Sequence, residues 1–451
     1  MSKDIRIRKG LDVKLVGAAE QVITDAKTST EYGLVPDDLH GVIPRLIKRE
    51  GDYVKAGEAV YHAKRDERIL IPSPVSGTVK EVRRGDKRKI LAIVIESDSQ
   101  HSHVEHDVSG WSNASDEEFK QLLCKAGCWP FIKQRPYDVV ANPDTTPKAI
   151  FISAYNSGPI AAEVDMLVKG KENFLQAGID ALKKLTPGEV HVTLAADNKD
   201  SVFRGLNGIT LHNAKGPHPV GNVSTHIAQV DPLNKGELIW VVMPEDLVTI
   251  GEFLSTGVFN PERLIAVNGA QVGNPGYLKT SIGAKISDII SSVEIKGDNN
   301  RIIEGHPLSG TKSSMDDYLG FYTNQITVLE EGDDYDFFGW NKPQPNKFSV
   351  LRAMMFSFLT PNKKYNLTTN NNGEERAFVL NGIYEEVFPL DIYPVALMKS
   401  CLYKDIDEME KLGIYEVAPE DFAVTEFICV SKLPHQKIIR EGLDEMIREV
   451  G

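Results

Sequence analysis

The chain has 451 residues and a formal net charge of −13, with 41% hydrophobic and 25% charged residues. That length allows roughly three domains of about 150 residues each, and the composition is that of an ordinary globular protein. The acidic balance excludes nucleic acid as the main partner, because binding phosphate needs clustered lysine and arginine. One basic stretch, "KEVRRGDKRK" from Lys80 to Lys89, runs against the trend. Its plainer reading is a solvated hairpin, with a partner-docking surface as the alternative. The opening "MSKDIRIRKG" has no apolar segment behind its charges, so no signal peptide is expected. No apolar run approaches the roughly 18 residues of a membrane helix, and "ELIWVVM" is only strand-sized. Cys124, Cys128, Cys401 and Cys429 are too sparse for a disulfide framework. A reduced, cytoplasmic setting is expected, with membrane contact only through partner proteins.

Residues 1–100 alternate apolar and polar between Gly and Pro, as in "VKLVG", "GTVKEV" and "ILAIVIES", which predicts short strands joined by turns. Within them, "EGDYVKAGEAVYHAKRDERILIPSPVSGTV" (Glu50 to Val79) resembles the hammerhead of biotinyl and lipoyl carriers, which implies a barrel-sandwich domain. The family's modified lysine stands six residues before the first proline, and here that position is Asp66. A carboxylate cannot form the amide that tethers biotin or lipoate. With Lys64, Arg65, Glu67 and Arg68 it makes a charged turn, expected to be solvated, with a docking contact as the minority reading. The following "SDSQHSHVEHDVSGWSNAS", Ser97 to Ser115, reads as a polar linker. Its His101, His103 and His106 lack cysteine partners or helical spacing, so solvation is expected rather than zinc.

Residues 101–257 read as a Rossmann-like α/β domain. "KAIFISAYN" and "EVHVTLAAD" are strands, "ENFLQAGIDALKKL" is a helix by its three-and-four spacing, and "ELIWVVMPEDLVTIGEFLSTG" gives strand and helix again. The first strand leads into "NSGPIAAEV" without a G-x-G-x-x-G fingerprint, so nothing marks a dinucleotide site. Residues 258–330 contain "ERLIAVNGAQVGNPGYLKTSIGAKISDII", which resembles an SLBB module of β-grasp type. Its "NPG" is expected to turn with glycine at positive φ. Residues 331–451 read as a mixed segment and then a helical domain stopped at Pro389, Pro394, Gly413 and Pro434.

That helical domain resembles a ferredoxin stripped of its ligands. Bacterial clusters use C-x2-C-x2-C-x3-C-P. In that frame "FVLNGIYEEVFP" offers Phe378, Asn381, Tyr384 and Phe388, and "PEDFAVTEFICVSKLP" offers Pro419, Phe422, Thr425 and Cys429. One thiol in eight positions cannot hold a cluster. Hammerhead, α/β domain, SLBB module and two ferredoxin-like turns, in that order, resemble the C subunit of Rnf complexes. The flavin subunit of respiratory complex I shares the middle parts. Its flavin-binding glycine run is replaced by "CKAGCWPFIKQRP", Cys124 to Pro136, where Trp129 stands in the expected place of a phosphate.

The stretches "AGCWPFIKQRPYD", "GPHPVGNVSTHIAQVDPLN", "NGAQVGNPGYL", "HPLSG", "YLGFYTNQITVLEEG" and "FGW" are similar to the A subunits of sodium-translocating NADH:quinone reductases, the NqrA family, along essentially the whole chain. The resemblance implies a peripheral protein on the cytoplasmic face of the bacterial inner membrane. It would sit against the membrane-embedded B subunit of a complex that reduces ubiquinone with NADH and exports sodium. That complex uses FAD, FMN, riboflavin and Fe-S centres, none of them held by this chain. The competing readings are a free-standing flavin or NADH dehydrogenase, disfavoured by the missing glycine loop and thiols, and an SLBB binding module.

Two groups of residues are candidates for a quinone site. His218 and His226, in "GPHPVGNVSTHI", carry groups able to donate protons to quinol oxygens. Trp129, Phe131 and Arg135 offer rings and a cation to frame a flat ligand. For both groups a structural role in a loop or core is the plainer expectation. Cys124 and Cys128, one helical turn apart, have no histidine neighbour, and metal or redox use is not expected.

Overall fold

The computed structural model describes residues 2–451 except 335, 336, 343, 345, 352–356, 380 and 381. Asn381, one of the cluster positions named above, therefore lies outside the described residues.

The first twenty-five residues carry two strands, β1 (Asp4–Arg6) and β2 (Ile23–Asp25), that pair with distant sheets. Then come β3 (Glu31–Leu34), β4 (Pro44–Leu46), β5 (Tyr53–Val54), β6 (Ala59–Ala63), β7 (Leu70–Pro72), β8 (Gly77–Arg84) and β9 (Ile90–Ser97). They form a four-stranded sheet ordered β3-β9-β8-β5 and a three-stranded sheet β4-β6-β7. Side chains alternate across a strand, and Val54, Val60, Ile71, Val79, Ile93 and Ile95 turn inward to share one core. The basic stretch spans the β8–β9 hairpin as expected, and part of it is engaged. Lys80 pairs with Glu31, Lys89 Nζ lies 2.6 Å from Asp37, and Arg83 Nη1 donates to Asp316 O at 3.2 Å.

The hammerhead turn is solvated at Lys64, Arg65 and Glu67, as expected, but not at Asp66 and Arg68, which are half-buried. Arg68 binds Asp66 and reaches Asp144 Oδ1 at 2.7 Å and Glu117 Oε1 at 3.7 Å, clasping the turn to the next domain. Beside it Gly127, at φ +74°, passes so close to Pro72 that a Cβ would meet its ring at 2.4 Å. The linker histidines also divide. His101 and His103 are exposed, whereas His106 packs edge-on to Phe253 at 5.6 Å and donates its backbone N–H to Gly257 O at 2.8 Å.

The next domain begins with α1 (Asp116–Lys125), started by a capping box between Ser115 and Glu118. It continues through β10 (Lys133–Arg135), β11 (Val139–Val140), β12 (Ala149–Ser153), α2 (Val164–Leu167), α3 (Glu172–Leu185), β13 (Val190–Ala195), β14 (Thr210–Lys215), α4 (Val223–Val230), β15 (Ile239–Val241) and α5 (Pro244–Thr256). The sheet runs β1-β14-β13-β12-β15-β10-β11, parallel from β1 to β15 and antiparallel beyond. Ile150 and Ile152 of β12 join the core under α3 and α5, while Ala149 and Phe151 join the core under α4. Helices therefore cover both faces. Cys128 follows the end of α1, so it does not share a helical face with Cys124, and both thiols are buried.

The third sheet, β19-β18-β20-β16-β17-β2, uses β16 (Glu262–Asn268), β17 (Gly276–Ser281), β18 (Asn300–Glu304), β19 (Thr311–Ser313) and β20 (Gln325–Glu330), with α6 (Ile286–Ile290) packed on it. The glycine of "NPG" differs from expectation. Gly276 opens β17, and what it permits is the approach of β2, since a Cβ there would stand 3.1 Å from Val22 O. The positive φ belongs to Gly269, at +111°.

The C-terminal helices α7 (Ile383–Val387), α8 (Pro394–Tyr403), α9 (Ile406–Lys411), α10 (Ala423–Phe427) and α11 (His435–Glu449) enclose a core of their own. Pro394 starts α8 and Gly413, at φ +87°, follows α9, as expected of these residues at helix ends. Among the described residues no helix is long and apolar enough to cross a membrane.

Candidate functional site

Outside the carboxyl ends of β12 and β15 lies a cavity of about 400 Å³. This is where parallel α/β sheets place ligands, because the strands end there and the following loops diverge. Here those loops supply Tyr155 and Asn156 after β12, and Glu245 and Asp246 at the start of α5. The other walls come from elsewhere: Asp38 and His40 from the barrel, Glu304, His306 and Tyr322 from the SLBB-like domain, and Glu420 from the helical domain. Four regions of the chain thus meet at one space.

Of the residues nominated from sequence, Phe131 and Arg135 line this cavity. Phe131 stacks on Phe321 with centroids 4.6 Å apart, and the Arg263 guanidinium sits 5.3 Å from its ring. Lys133, one step along, places its ammonium 4.0 Å from the Tyr322 ring. Arg135 is 5% exposed. Its Nη2 lies 3.4 Å from Glu420 Oε1 and 3.6 Å from Asp138 Oδ1, while Nε and Nη1 are buried without a partner. A buried guanidinium with open donors is expensive.

The carboxyl groups around it divide by environment. Burial works against the charged form of Asp138, but Arg135 and Lys133 outweigh it and hold the group well below the usual carboxylate range. Burial pushes Asp38 up to about 7, opposed by the Phe321 N–H and reinforced by the charge of Glu304. Burial also lifts Glu304, and it lifts Asp246 to about 6 in spite of its ion pair with Arg263.

The remaining nominees are not in the cavity wall. Trp129 is wholly buried, donates Nε1–H to Ala141 O at 2.7 Å and meets Trp240 edge-on at 5.4 Å. His226 is held through Nε2, 2.8 Å from Val220 O. His218 places Nδ1 3.0 Å from Ser157 Oγ and its ring 5.6 Å from His306, so it stands behind the cavity rather than in it. Burial lowers His226 to about 4 and His218 to about 3, leaving both uncharged at neutral pH.

Sequence reasoning missed Asp38, His40, Lys133, Glu304, His306 and Tyr322. Lys133 lies within "WPFIKQRP" and His306 within "HPLSG", so the stretches were noticed and the side chains were not. Asp38 carried no local signal. Among the described residues no group of three or more His, Cys, Asp or Glu is arranged to hold a metal ion.

The helical domain brings several of the positions named in the ferredoxin frame into contact or onto a shared histidine. Tyr384 Oη lies 3.3 Å from Cys429 Sγ, Phe388 packs on Phe422 at 4.8 Å, and Thr425 Oγ1 lies 3.0 Å from His435 Nδ1. Phe378 stacks on the same His435 at 5.6 Å.

Comparison with known proteins gives three family profiles in chain order. "NqrA N-terminal barrel-sandwich hybrid domain" matches residues 5–98, "NqrA second alpha/beta domain" residues 114–259, and "NQRA C-terminal domain" residues 264–315. Proteins named as the A subunit of the Na(+)-translocating NADH-quinone reductase align end to end. The one from Neisseria meningitidis serogroup A is 35% identical over 99% of this chain and 100% of its own length. Those from Pasteurella multocida and Haemophilus influenzae are 34% and 33% identical over the same shares.

Proposed function

The chain belongs to the NqrA family, the A subunits of the Na(+)-translocating NADH-quinone reductase, and from that premise we propose that it is the peripheral component that shapes a quinone pocket for the complex. It docks with the other Nqr subunits, chiefly the membrane-embedded B subunit, on the cytoplasmic face. The complex passes electrons from NADH to ubiquinone and exports sodium, and this chain holds no flavin or iron–sulfur centre of its own.

One observation carries the quinone reading. Arg135, whose guanidinium keeps unpartnered donors, lines one space of about 400 Å³ together with the stacked ring of Phe131. A quinone head is flat, apolar on its faces and an acceptor at its two oxygens, so rings and a buried cation are the groups that recognise it. Phe131 and Arg135 are the contacts. His218 backs the wall through His306, and Trp129 and His226 hold the scaffold. Titration of the purified chain with a soluble ubiquinone analogue tests this. Saturable binding weakened about tenfold or more by Arg135→Gln is the expected result, and no saturable binding would place the pocket elsewhere in the complex.

The absence of a cofactor is supported by the helical domain, read as a cluster-less ferredoxin. Its ligand positions carry Phe378, Tyr384, Phe388, Phe422 and Thr425, which offer no thiolate, beside the single thiol of Cys429, and they pack against one another, Cys429 and His435. An absorption spectrum of the purified chain decides: flavin or iron–sulfur bands in stoichiometric amount would overturn the reading. The dehydrogenase alternative is not favoured, because the relatives aligned along the whole chain are named as subunits.

A further inference from the structure

Of the carboxyl groups that line the cavity and that the quinone reading leaves unused, two converge on one backbone turn. Asp38 follows Pro36 and Asp37 in a short turn of the barrel, and Glu304 ends β18. Both reach the same backbone turn. Asp38 Oδ2 accepts the Phe321 N–H at 2.8 Å, while Glu304 Oε2 accepts the adjacent Gly320 N–H at 2.7 Å and the Thr323 hydroxyl at 3.0 Å. A Cβ on Gly320 would stand 3.2 Å from each of those carboxyl oxygens, so the two converge on one glycine. Both side chains line the cavity, as does Arg135, whose Nε and Nη1 are the buried, unpartnered donors.

We propose that Asp38 and Glu304 are a proton-supplying pair for reduction of a quinone held in this cavity, which rests on the quinone reading above. Reduction of a quinone to a quinol takes two electrons and two protons. The electrons come from NADH through the complex. The Asp38 carboxyl gives up its proton as the first quinol O–H bond forms, which leaves a carboxylate. That carboxylate, beside Glu304, is reprotonated from water and delivers the second proton to the other oxygen. After turnover the pair takes up one further proton from solvent, so two protons enter for each quinol made.

The surroundings support this assignment. Two carboxyls on one turn do not ionise independently, and the charge of Glu304 works against loss of the Asp38 proton. Asp38 is faced by Asp37 on its own turn, Glu304 from β18, Lys133 from β10, and the phenols of Tyr61 and Tyr322. Glu304 is faced by Asp317. Burial and the like charge of Glu304 raise Asp38 to about 7, against the pull of Lys133 and the Phe321 N–H. A donor acts best when its pKa lies near the working pH. His40 and Asp37, exposed beside Asp38, mark where water meets the pair.

The test uses the intact complex carrying Asp38→Asn, Glu304→Gln, the control Asp37→Asn, and Ser309→Trp to fill the cavity. Asp38→Asn is expected to leave the quinone Kd within about twofold and to lower kcat by roughly 100-fold, the scale of a lost general acid. The limb of the kcat–pH profile near 7 should vanish with it. Glu304→Gln is expected to move that limb to lower pH, because the like charge is gone. Asp37→Asn should leave kcat in place and move the limb down by less than Glu304→Gln does, because Asp37 is the weaker like charge. If Ser309→Trp abolishes quinone binding while Asp38→Asn leaves kcat and its pH profile intact, the proton role is wrong and the quinone pocket stands. If Ser309→Trp leaves quinone binding untouched, the pocket itself is wrong and the pair's role falls with it.

Discussion

Arg68 grips Asp66 side-on, Nε to Oδ1 at 2.9 Å and Nη2 to Oδ2 at 2.7 Å, at the position that the hammerhead resemblance gives to a carrier's modified lysine. The same guanidinium spans to Asp144 on the next domain. The tip that a carrier swings through solvent is here an interdomain clamp. Replacing Asp66 with lysine should therefore not restore a carrier. Arg68 is about a third exposed, so losing the pair and adding a like charge should cost only about 1 kcal/mol. Thermal unfolding would show a drop of a few degrees at most, and mass spectrometry after co-expression with a biotin or lipoate ligase would show no added group.

Gly127 makes a second, stiffer contact between the same two domains. Alanine there meets Pro72 at 2.4 Å and must also hold a φ of +74°. Overpacking and left-handed strain together should cost about 2–4 kcal/mol. A urea titration of Gly127→Ala is expected to lower the midpoint clearly more than Asp66→Lys does.

Trp129 separates the core role from the ligand role. Trp129→Phe removes the Nε1–H bond to Ala141 O and leaves a gap beside Trp240. A loss of about 2 kcal/mol is expected. Affinity for a ubiquinone analogue should be unchanged at a temperature where the variant is folded.

Five histidines shape the acid response. Burial lowers His218 to about 3 and His212, His226, His306 and His435 to about 4. Each pKa lies below its unfolded value of about 6.5, so the unfolded chain binds more protons through that window. The stability these groups contribute is complete above pH 6.5 and is lost as pH falls toward 4. His212 shows why: its Nδ1 accepts the Lys3 N–H at 3.0 Å while its Nε2 lies 3.0 Å from His191 Nδ1. An added proton occupies Nδ1 and breaks the link to Lys3, which leads into β1. Unfolding followed by circular dichroism from pH 7 to 4 should show a steep loss of stability, shallower in His212→Gln.

Much of the architecture was legible because it is written locally. "ENFLQAGIDALKKL" predicted a helix and α3 occupies those residues, Glu172 to Leu185. Strand–helix alternation gave the parallel sheet, and the proline and glycine stops in the last seventy residues fall at helix ends. The hammerhead pattern was visible too, including the loss of its lysine. The glycine of "NPG" misled, because the demand on Gly276 comes from β2, a strand more than two hundred residues earlier in the chain.

The cavity was legible only in pieces. Phe131 and Arg135 stood out because ring and cation share one short stretch, and Trp129 stood out for the same reason although it faces the core. On the short strand β10 and the loop before it, spacing alone does not say which side chain turns inward. Asp38, Glu304 and Glu420 come from segments separated by more than a hundred residues, and no pattern in any one of them announces the others. Side-chain periodicity and turn chemistry act over a few residues, so sequence by itself determined the elements and their order. Which carboxyl faces which backbone N–H, and which cation is left with open donors, is set by packing among the domains, and only the tertiary structure decided it.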